Sequence, residues 1–149
     1  ERVDAVVKEF GVTPVSPDEI YDIECDVFCP CALGGVICRE TVGRLRCKIV
    51  AGSANNQLKD ESYGNALQEL GILYAPDYII NAGGVINVAE EIYGYDRERA
   101  LRKAGGIYDR IKSVLEIAER EGISPHLAAS RLAEKRIARI GRIHRIYVP

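Results

Sequence analysis

Glycine, asparagine or both recur in three short loops of this 149-residue chain, and each loop follows an apolar run. We name them the first loop (residues 30–35), the second loop (residues 52–56) and the third loop (residues 81–84). Glycine lets a backbone approach a bound group closely, while asparagine offers both a carbonyl acceptor and amide donors. Such groups suit a polar organic ligand, so the three loops together predict a nucleotide or substrate site.

That site requires the three loops to meet, and a parallel β-sheet would bring them together. Each strand of such a sheet delivers its following loop to the same edge, where open α/β sheets bind their ligands. Asn55 and Asn56 are adjacent in the second loop and are the leading candidates for orienting a polar ligand. The alternative is that each loop is an ordinary turn, because asparagine and glycine are common turn residues. That alternative explains any single loop, whereas the recurrence favours a shared site.

Apolar runs that alternate with helical patterns predict an α/β fold with a parallel sheet. Gly71, Gly94 and Gly122 mark helix ends, while Asp96 and Ser124 are suitable N-caps. The predicted strands cover residues 12–15, 25–29, 48–51 and 72–74, with a further apolar run at 78–80 before the third loop. The predicted helices cover residues 2–10, 39–45, 60–70, 85–93, one long helix at 97–121, and a final helix at 125–141.

Composition limits the class of protein. A hydrophobic fraction of 47% and a charged fraction of 28% are typical of a globular chain, and 149 residues suit one domain. The net charge of -2 gives no general reason to expect nucleic acid or a membrane surface as a partner. No apolar run approaches the ~20 residues of a membrane span, and no signal-peptide pattern opens the sequence. We therefore expect a cytoplasmic protein.

Basic residues near the C-terminus alternate with apolar residues at helical spacing, which predicts an amphipathic helix rather than a nucleic-acid-binding face. The basic set is Arg131, Lys135, Arg136, Arg139, Arg142 and Arg145, and the apolar set is Leu132, Ile137, Ile140, Ile143 and Ile146.

The cysteines and histidines give little support for a metal or nucleophilic site. Five cysteines crowd into the first third of the chain, and an odd number does not suggest a disulfide framework. Cys29 and Cys31 lack the two-residue gap of a typical zinc site, and no histidine is near them, so we expect no metal. His126 and His144 have no nucleophile or carboxylate partner in the sequence, so we expect both to be structural or exposed.

The beginning of the chain does not suit a complete dinucleotide-binding domain. Such a domain begins with a strand, a glycine-rich turn and a helix, yet the sequence has no GxGxxG and the predicted helix at 2–10 comes first. Methionine is also absent. We expect a fragment of a longer protein.

Three segments resemble the cofactor domain of the amino acid dehydrogenases, most of all the leucine-specific members of that family. They are CDVFCPCALGG (25–35), KIVAGSANNQLK (48–59) and YAPDYIINAGGVINVAEEIYGY (74–95). The likeness covers essentially the whole chain. It implies that residues 1–95 form part of an NAD-binding, Rossmann-type domain with a doubly wound parallel sheet. Residues 96–149 would then form C-terminal helices that return toward a substrate domain. The implied reaction is oxidative deamination of a branched-chain L-amino acid, with leucine preferred, by a homo-oligomer.

The resemblance also assigns residues to ligands. Asn56 matches the position that holds the substrate carboxylate, and Val85 and Val88 match positions that line the pocket for the substrate side chain. The family's catalytic lysines and aspartate have no match in this chain. Five residues match positions along the cofactor or near its nicotinamide and ribose: Cys31, Ala32, Leu33, Asn55 and Asn81.

Two alternatives remain open. The first is a sister enzyme that acts on phenylalanine, valine or glutamate, which the pocket residues would distinguish. The second is a non-catalytic module that binds a nucleotide or serves assembly.

Cys29 and Cys38 depart from the family pattern, which leads us to expect other small or polar residues there.

Overall fold

The computed structural model describes residues 2–144, and for residues 142–144 it describes the backbone alone. These residues form an α/β fold around a parallel sheet of three strands. The central strand β2 (Arg46–Val50) pairs on one side with β1 (Glu24–Phe28) and on the other with β3 (Leu73–Tyr74). The predicted α/β class and parallel sheet are therefore confirmed. A doubly wound sheet is not shown within the described residues and stays a prediction, as does the domain division at residue 95.

Most helices of the described residues come after strand β3 in the chain. In chain order they are α1 (Arg2–Phe10), α2 (Ser62–Glu69), α3 (Asp77–Ile80), α4 (Gly83–Ala89), α5 (Arg97–Gly105), α6 (Ile107–Glu121) and α7 (Pro125–His144), with 3-10 turns at Glu19–Asp22, Val42–Arg44 and Glu90–Tyr93.

The main hydrophobic core lies between the sheet and α2. Leu67 of α2 is fully buried, and a leucine removed from water in this way stabilises the fold by roughly 1.5–3 kcal/mol. Gly71 ends this part of the chain with φ of 72°, the left-handed conformation that was expected there. The buried apolar members of this core are Ile37, Leu45, Cys47, Val50, Leu67, Ile72 and Tyr74.

A second, smaller core joins α6 and α7. Val114 and Ala118 of α6 pack with Ala128 and Ala129 of α7. The predicted caps are present: the Asp96 carboxylate accepts a hydrogen bond from the Arg99 backbone N–H, the Ser124 hydroxyl accepts one from Leu127, and Gly122 has φ of 64°. Small residues at the contact let the two helices approach closely.

Five predicted elements differ from the structure. Residues 12–15 form no strand, because Pro14 cannot donate to a sheet and Val12 and Val15 stay exposed. The predicted helix at 39–45 is only the 3-10 turn Val42–Arg44. Residues 85–93 form a helix that begins earlier and tightens into a 3-10 turn after Ala89.

The apolar run at 78–80 is helical, not extended. The Ile79 and Ile80 backbone N–H groups donate to the Pro76 carbonyl, and Asn81 donates to Asp77, which closes a helical turn. Three apolar residues carry no periodicity that separates strand from helix.

The long helix expected at 97–121 divides into α5 and α6 at Gly105 and Gly106. Two adjacent glycines weaken a helix by about 1 kcal/mol each, and here the chain turns, with the Gly106 N–H donating to the Lys103 carbonyl. Of the amphipathic C-terminal segment, Arg145 and Ile146 lie outside the described residues, as do the side chains of Arg142, Ile143 and His144.

Candidate functional site

The first and second loops lie against each other at the carboxyl ends of β1 and β2. The Ala54 N–H donates to the Pro30 carbonyl at 2.9 Å, and the Gly35 N–H donates to the Asn56 carbonyl at 2.7 Å. A Cβ on Gly52 would lie 2.1 Å from the Pro30 oxygen, so no larger residue fits there without moving the backbone. The parallel strands therefore bring these two loops together as the sequence predicts.

The third loop joins them through an asparagine pair. The Asn81 side-chain NH₂ donates to the Asn55 side-chain oxygen at 2.6 Å and to the Ser53 carbonyl at 3.4 Å. The third loop follows α3 rather than a strand, so it reaches the site by a different route from the one the sequence suggested. The three loops nevertheless form one cluster.

The buried side chain of Asp77 supports the second loop. Asp77 accepts a hydrogen bond from the Gln57 backbone N–H at 2.7 Å and another from the Tyr74 hydroxyl at 3.0 Å. Gln57 in turn donates through its side chain to the Gly52 and Ala54 carbonyls. Burial and the neighbouring Asp77 raise the pKa of Tyr74 well above its ordinary value. This network holds the loop that carries Asn55 and Asn56.

Sequence analysis missed the role of that network. Asp77 follows Pro76 and was not among the predicted site residues, although aspartate in an otherwise apolar stretch is a signal for a buried polar contact. Its contact with Gln57 joins residues 20 positions apart, which no local pattern reveals.

Asn56 is exposed and has φ of 53°, which is a left-handed backbone conformation. Asparagine is one of few residues other than glycine that adopt this left-handed conformation readily. Asn55 is also exposed and precedes Asn56 in the second loop, and its side-chain oxygen accepts the hydrogen bond from Asn81.

The predicted cofactor residues of the first loop lie beside the second loop. Cys31, Ala32 and Leu33 are exposed, with 78% of Leu33 accessible. A hydrogen bond from the Ser53 hydroxyl, which belongs to the second loop, holds the pKa of Cys31 below its ordinary value.

The predicted pocket residues lie on α4, which begins within the third loop. Val85 and Val88 are 68% and 61% exposed and, three positions apart, share one face of the helix. The end of this segment is fixed by Glu90, whose buried carboxylate bonds to Arg99 and Lys103 of α5. The contacts of Glu90 therefore hold the C-terminal end of α4 in place, and Val85 and Val88 form an exposed apolar face on this helix.

His126 packs among the helices, and it has a carboxylate near it, which the sequence did not predict. Its Nε2 atom lies 3.8 Å from the Glu61 carboxylate just before α2, and the edge of its ring meets Tyr78. The ring is largely buried, and the His126 Cβ would lie 3.1 Å from a Cβ added at Gly64 of α2.

The donors and acceptors of this cluster fit a nicotinamide nucleotide. The Asn81–Asn55 bond does not use the Asn81 side-chain oxygen or the Asn55 NH₂ group, which leaves one acceptor and one donor for a ligand. A carboxamide or a ribose hydroxyl needs this combination. Among residues 2–144, no group of three or more metal-binding side chains is present, and no helix is long and apolar enough to cross a membrane.

The chain belongs to the glutamate/leucine/phenylalanine/valine dehydrogenase family, whose family model matches residues 1–144. The family resemblance inferred from the sequence is therefore confirmed.

Within this family the chain is similar to leucine dehydrogenases. It is 64% identical to the enzyme of Thermoactinomyces intermedius, over 92% of this chain and 37% of that protein. It is 54% identical to the enzyme of Bacillus cereus, over 99% of this chain and 40% of that protein. Among solved structures, L-tryptophan dehydrogenase from Nostoc punctiforme has a TM-score of 0.89 at 47% identity, over 93% of this chain and 42% of that chain. The chain thus spans about two fifths of the length of its relatives.

Proposed function

We propose that the full-length protein containing this chain catalyses the NAD-dependent oxidative deamination of branched-chain L-amino acids, with leucine preferred. The products are a 2-oxo acid, ammonia and NADH. The observation that carries this proposal is the meeting of three ligand-type loops at one sheet edge, joined by the Asn81–Asn55 bond at 2.6 Å. Similarity to leucine dehydrogenases supports the choice of substrate class.

In this proposal the first loop and the asparagine pair hold the cofactor. NAD, when bound, accepts a hydride from the substrate α-carbon. Cys31, Ala32 and Leu33 offer an exposed surface along it, and Asn55 and Asn81 supply the hydrogen bonds that orient its carboxamide and ribose.

The substrate occupies the space beside Asn56 and α4. The exposed Asn56 amide donates to the amino acid carboxylate, while Val85 and Val88 contact the aliphatic side chain. The groups that move protons and activate water come from the rest of the protein, because the family's catalytic lysines and aspartate have no match here. This chain therefore positions both reactants but does not contain the catalytic base.

The test is steady-state kinetics of the full-length protein with leucine, valine, phenylalanine, tryptophan and glutamate, each with NAD and with NADP. We expect the highest kcat/KM for leucine with NAD. A higher kcat/KM for tryptophan or phenylalanine would favour an aromatic specificity, and the tryptophan dehydrogenase relative makes this the competing outcome to exclude. A full-length protein that binds NAD without turning over any amino acid would instead support a non-catalytic module.

We also propose that the full-length protein is a cytoplasmic homo-oligomer. Several apolar residues of α1 are exposed within the described residues, including Val3, Val6 and Phe10, and such a face is suited to a contact surface. Light scattering of the purified full-length protein measures the assembly directly, and a monomer would contradict this part of the proposal.

A further inference from the structure

Two thiols face each other at the entrance to the first loop. Cys29 directly follows β1 and Cys31 lies two residues further on, with 3.5 Å between their Sγ atoms. Both residues are exposed. The proposed dehydrogenase reaction uses neither thiol as a reacting group.

The backbone between the two cysteines is held in place by the second loop. Pro30 is buried, its carbonyl accepts the Ala54 N–H at 2.9 Å, and Gly52 lies directly against it. Just before Cys29, the Phe28 carbonyl accepts the Ala51 N–H at 3.0 Å. Because the backbone is already fixed, little conformational freedom is lost when the two sulfurs form a bond.

The separation also suits a bond. Two Cα atoms with one residue between them are at most about 7 Å apart, and disulfides span Cα distances of roughly 4.4–6.8 Å. The Sγ atoms need to approach from 3.5 Å to about 2.0 Å, which small side-chain rotations achieve.

The two sulfurs differ in their surroundings. Hydrogen bonds from the Ser53 hydroxyl and backbone hold the pKa of Cys31 below its ordinary value. Partial desolvation and the neighbouring Cys31 raise the pKa of Cys29. Because the thiolate is the nucleophile in disulfide chemistry, Cys31 is the attacking residue and Cys29 the resolving one.

We propose that Cys29 and Cys31 form a reversible dithiol–disulfide couple that reacts with low-molecular-weight disulfides of the glutathione type. The Cys31 thiolate attacks one sulfur of the small disulfide, whose S–S bond breaks and releases one small thiolate, which takes a proton from water. Cys29 then gives up its proton and attacks the Cys31 Sγ, which releases the second small thiol. Two electrons pass from the two cysteines to the small disulfide, and no other reactant is consumed.

The reaction of this couple requires only the two cysteines and the small disulfide, so it is measured apart from the proposed dehydrogenase activity, although Cys31 is also proposed to lie along the cofactor. The disulfide would place a covalent link at the start of the first loop, beside Ser53 and the Asn81–Asn55 pair.

The test uses the full-length protein carrying Cys38→Ser, in which trypsin and a protease that cleaves before aspartate release residues 26–39 with Cys29 and Cys31 as the only cysteines. The protein is treated with oxidised glutathione under native conditions, quenched with acid and alkylated with N-ethylmaleimide. We expect mass spectrometry to show this peptide without alkylation and without glutathione, lighter by two hydrogen atoms. Dithiothreitol should restore two alkylatable thiols.

The matched variant adds Cys29→Ser to the same protein. It should stop at the mixed disulfide and retain one glutathione on Cys31. The proposal is overturned if the protein with both cysteines retains glutathione to the same extent as the Cys29→Ser variant. It is equally overturned if both thiols remain free after treatment, or if Cys29→Ser blocks glutathione addition and Cys31→Ser does not, because the order of attack would then be wrong.

Discussion

Asn56 combines an exposed amide with a backbone conformation that few side chains adopt, at φ of 53°. A left-handed residue costs roughly 1–2 kcal/mol unless it is glycine or a short polar residue that tolerates it. The second loop therefore selects asparagine or glycine for its shape, and of these two only asparagine carries a hydrogen-bonding side chain. Shape and proposed carboxylate binding can be separated by substitution.

We expect Asn56→Ala in the full-length protein to raise the KM for leucine about ten- to a hundredfold. The amide–carboxylate bond is worth ~1.5–3 kcal/mol when one partner is charged, and this is the corresponding range of affinity. Steady-state kinetics measures the change.

Two further variants control this prediction. Asn56→Gly keeps the left-handed backbone without strain and should raise the KM by the same factor, whereas an effect of strain alone would appear only in Asn56→Ala. Asn65→Ala removes an exposed amide on α2 and should leave the KM unchanged. An unchanged KM in both Asn56 variants would show that the carboxylate binds elsewhere.

Val88→Ser tests substrate choice at the same scale. A glutamate side chain placed against Val85 and Val88 would bury a carboxylate without a partner, which costs several kcal/mol, whereas an aliphatic side chain gains ~0.8 kcal/mol per buried CH₂. We expect the unmutated enzyme to prefer leucine over glutamate by orders of magnitude in kcat/KM. We expect Val88→Ser to narrow that ratio, mainly through loss of activity on leucine.

The control for this variant is Val12→Ser, which places the same substitution at an exposed position between α1 and the sheet. It should leave the ratio of leucine to glutamate unchanged. Equal kcat/KM for leucine and glutamate in the unmutated enzyme would mean that Val85 and Val88 do not line the pocket.

At the scale of elements, α4 depends on a buried ion cluster at its end. The Glu90 carboxylate is fully buried and bonds to Lys103 and Arg99, and these two cations hold the pKa of Glu90 below its ordinary value. A carboxyl whose pKa is lower in the folded state stabilises the fold above its unfolded pKa, which is about 4.3 for glutamate. That contribution is lost as the pH falls through the lowered folded value.

We therefore expect Glu90→Gln to lower the unfolding temperature of the full-length protein at about pH 7, and to lower it much less at a pH below the lowered folded pKa of Glu90, where the carboxyl is protonated in the folded state as well. Differential scanning calorimetry across this range measures the difference. Glu91→Gln changes an exposed neighbour and serves as the control. A Glu90→Gln effect that is equally large at both pH values would show that the cluster contributes by packing rather than by charge.

Local signals explain which elements the sequence could predict. Asp96 predicts a helix N-cap and Gly122 predicts a left-handed helix end, because each feature depends on the chemistry of a single residue. Both features are where they were expected. The run at 78–80 gives no such signal, and α3 begins at Asp77, which is anchored by a hydrogen bond from Gln57, 20 positions away. That anchor is a long-range contact, so neighbouring residues do not reveal it.

The same distinction applies to the site. The first and second loops meet because two parallel strands deliver them to one edge, which strand order alone predicts. The third loop meets them through the Asn81–Asn55 bond, after a helical turn that local sequence does not specify. The convergence was therefore predictable, but the path of the third loop was not.

At the scale of the whole molecule, the chain contains the residues that we propose to bind two reactants, but it spans only part of the length of its relatives. It spans 37% and 40% of the length of two leucine dehydrogenase relatives, and it contains no GxGxxG turn to bind a pyrophosphate. Val85 and Val88 stay exposed to solvent, so within the described residues the proposed pocket has one wall. A second wall would have to come from elsewhere in the full-length protein.

These features lead to the prediction that the isolated 149-residue chain binds NADH weakly and does not deaminate amino acids. Hydride transfer requires both carbons to be held in a fixed geometry, and proton transfer requires a positioned base, which the family's unmatched lysines would supply. Circular dichroism first establishes that the chain is folded, and NADH titration and the absorbance of NADH formed from leucine then measure the two properties. The full-length protein under identical conditions is the positive control. A micromolar or tighter affinity would mean that the loops alone form the nucleotide site, and NADH production would place a catalytic base among residues that we have assigned only to binding.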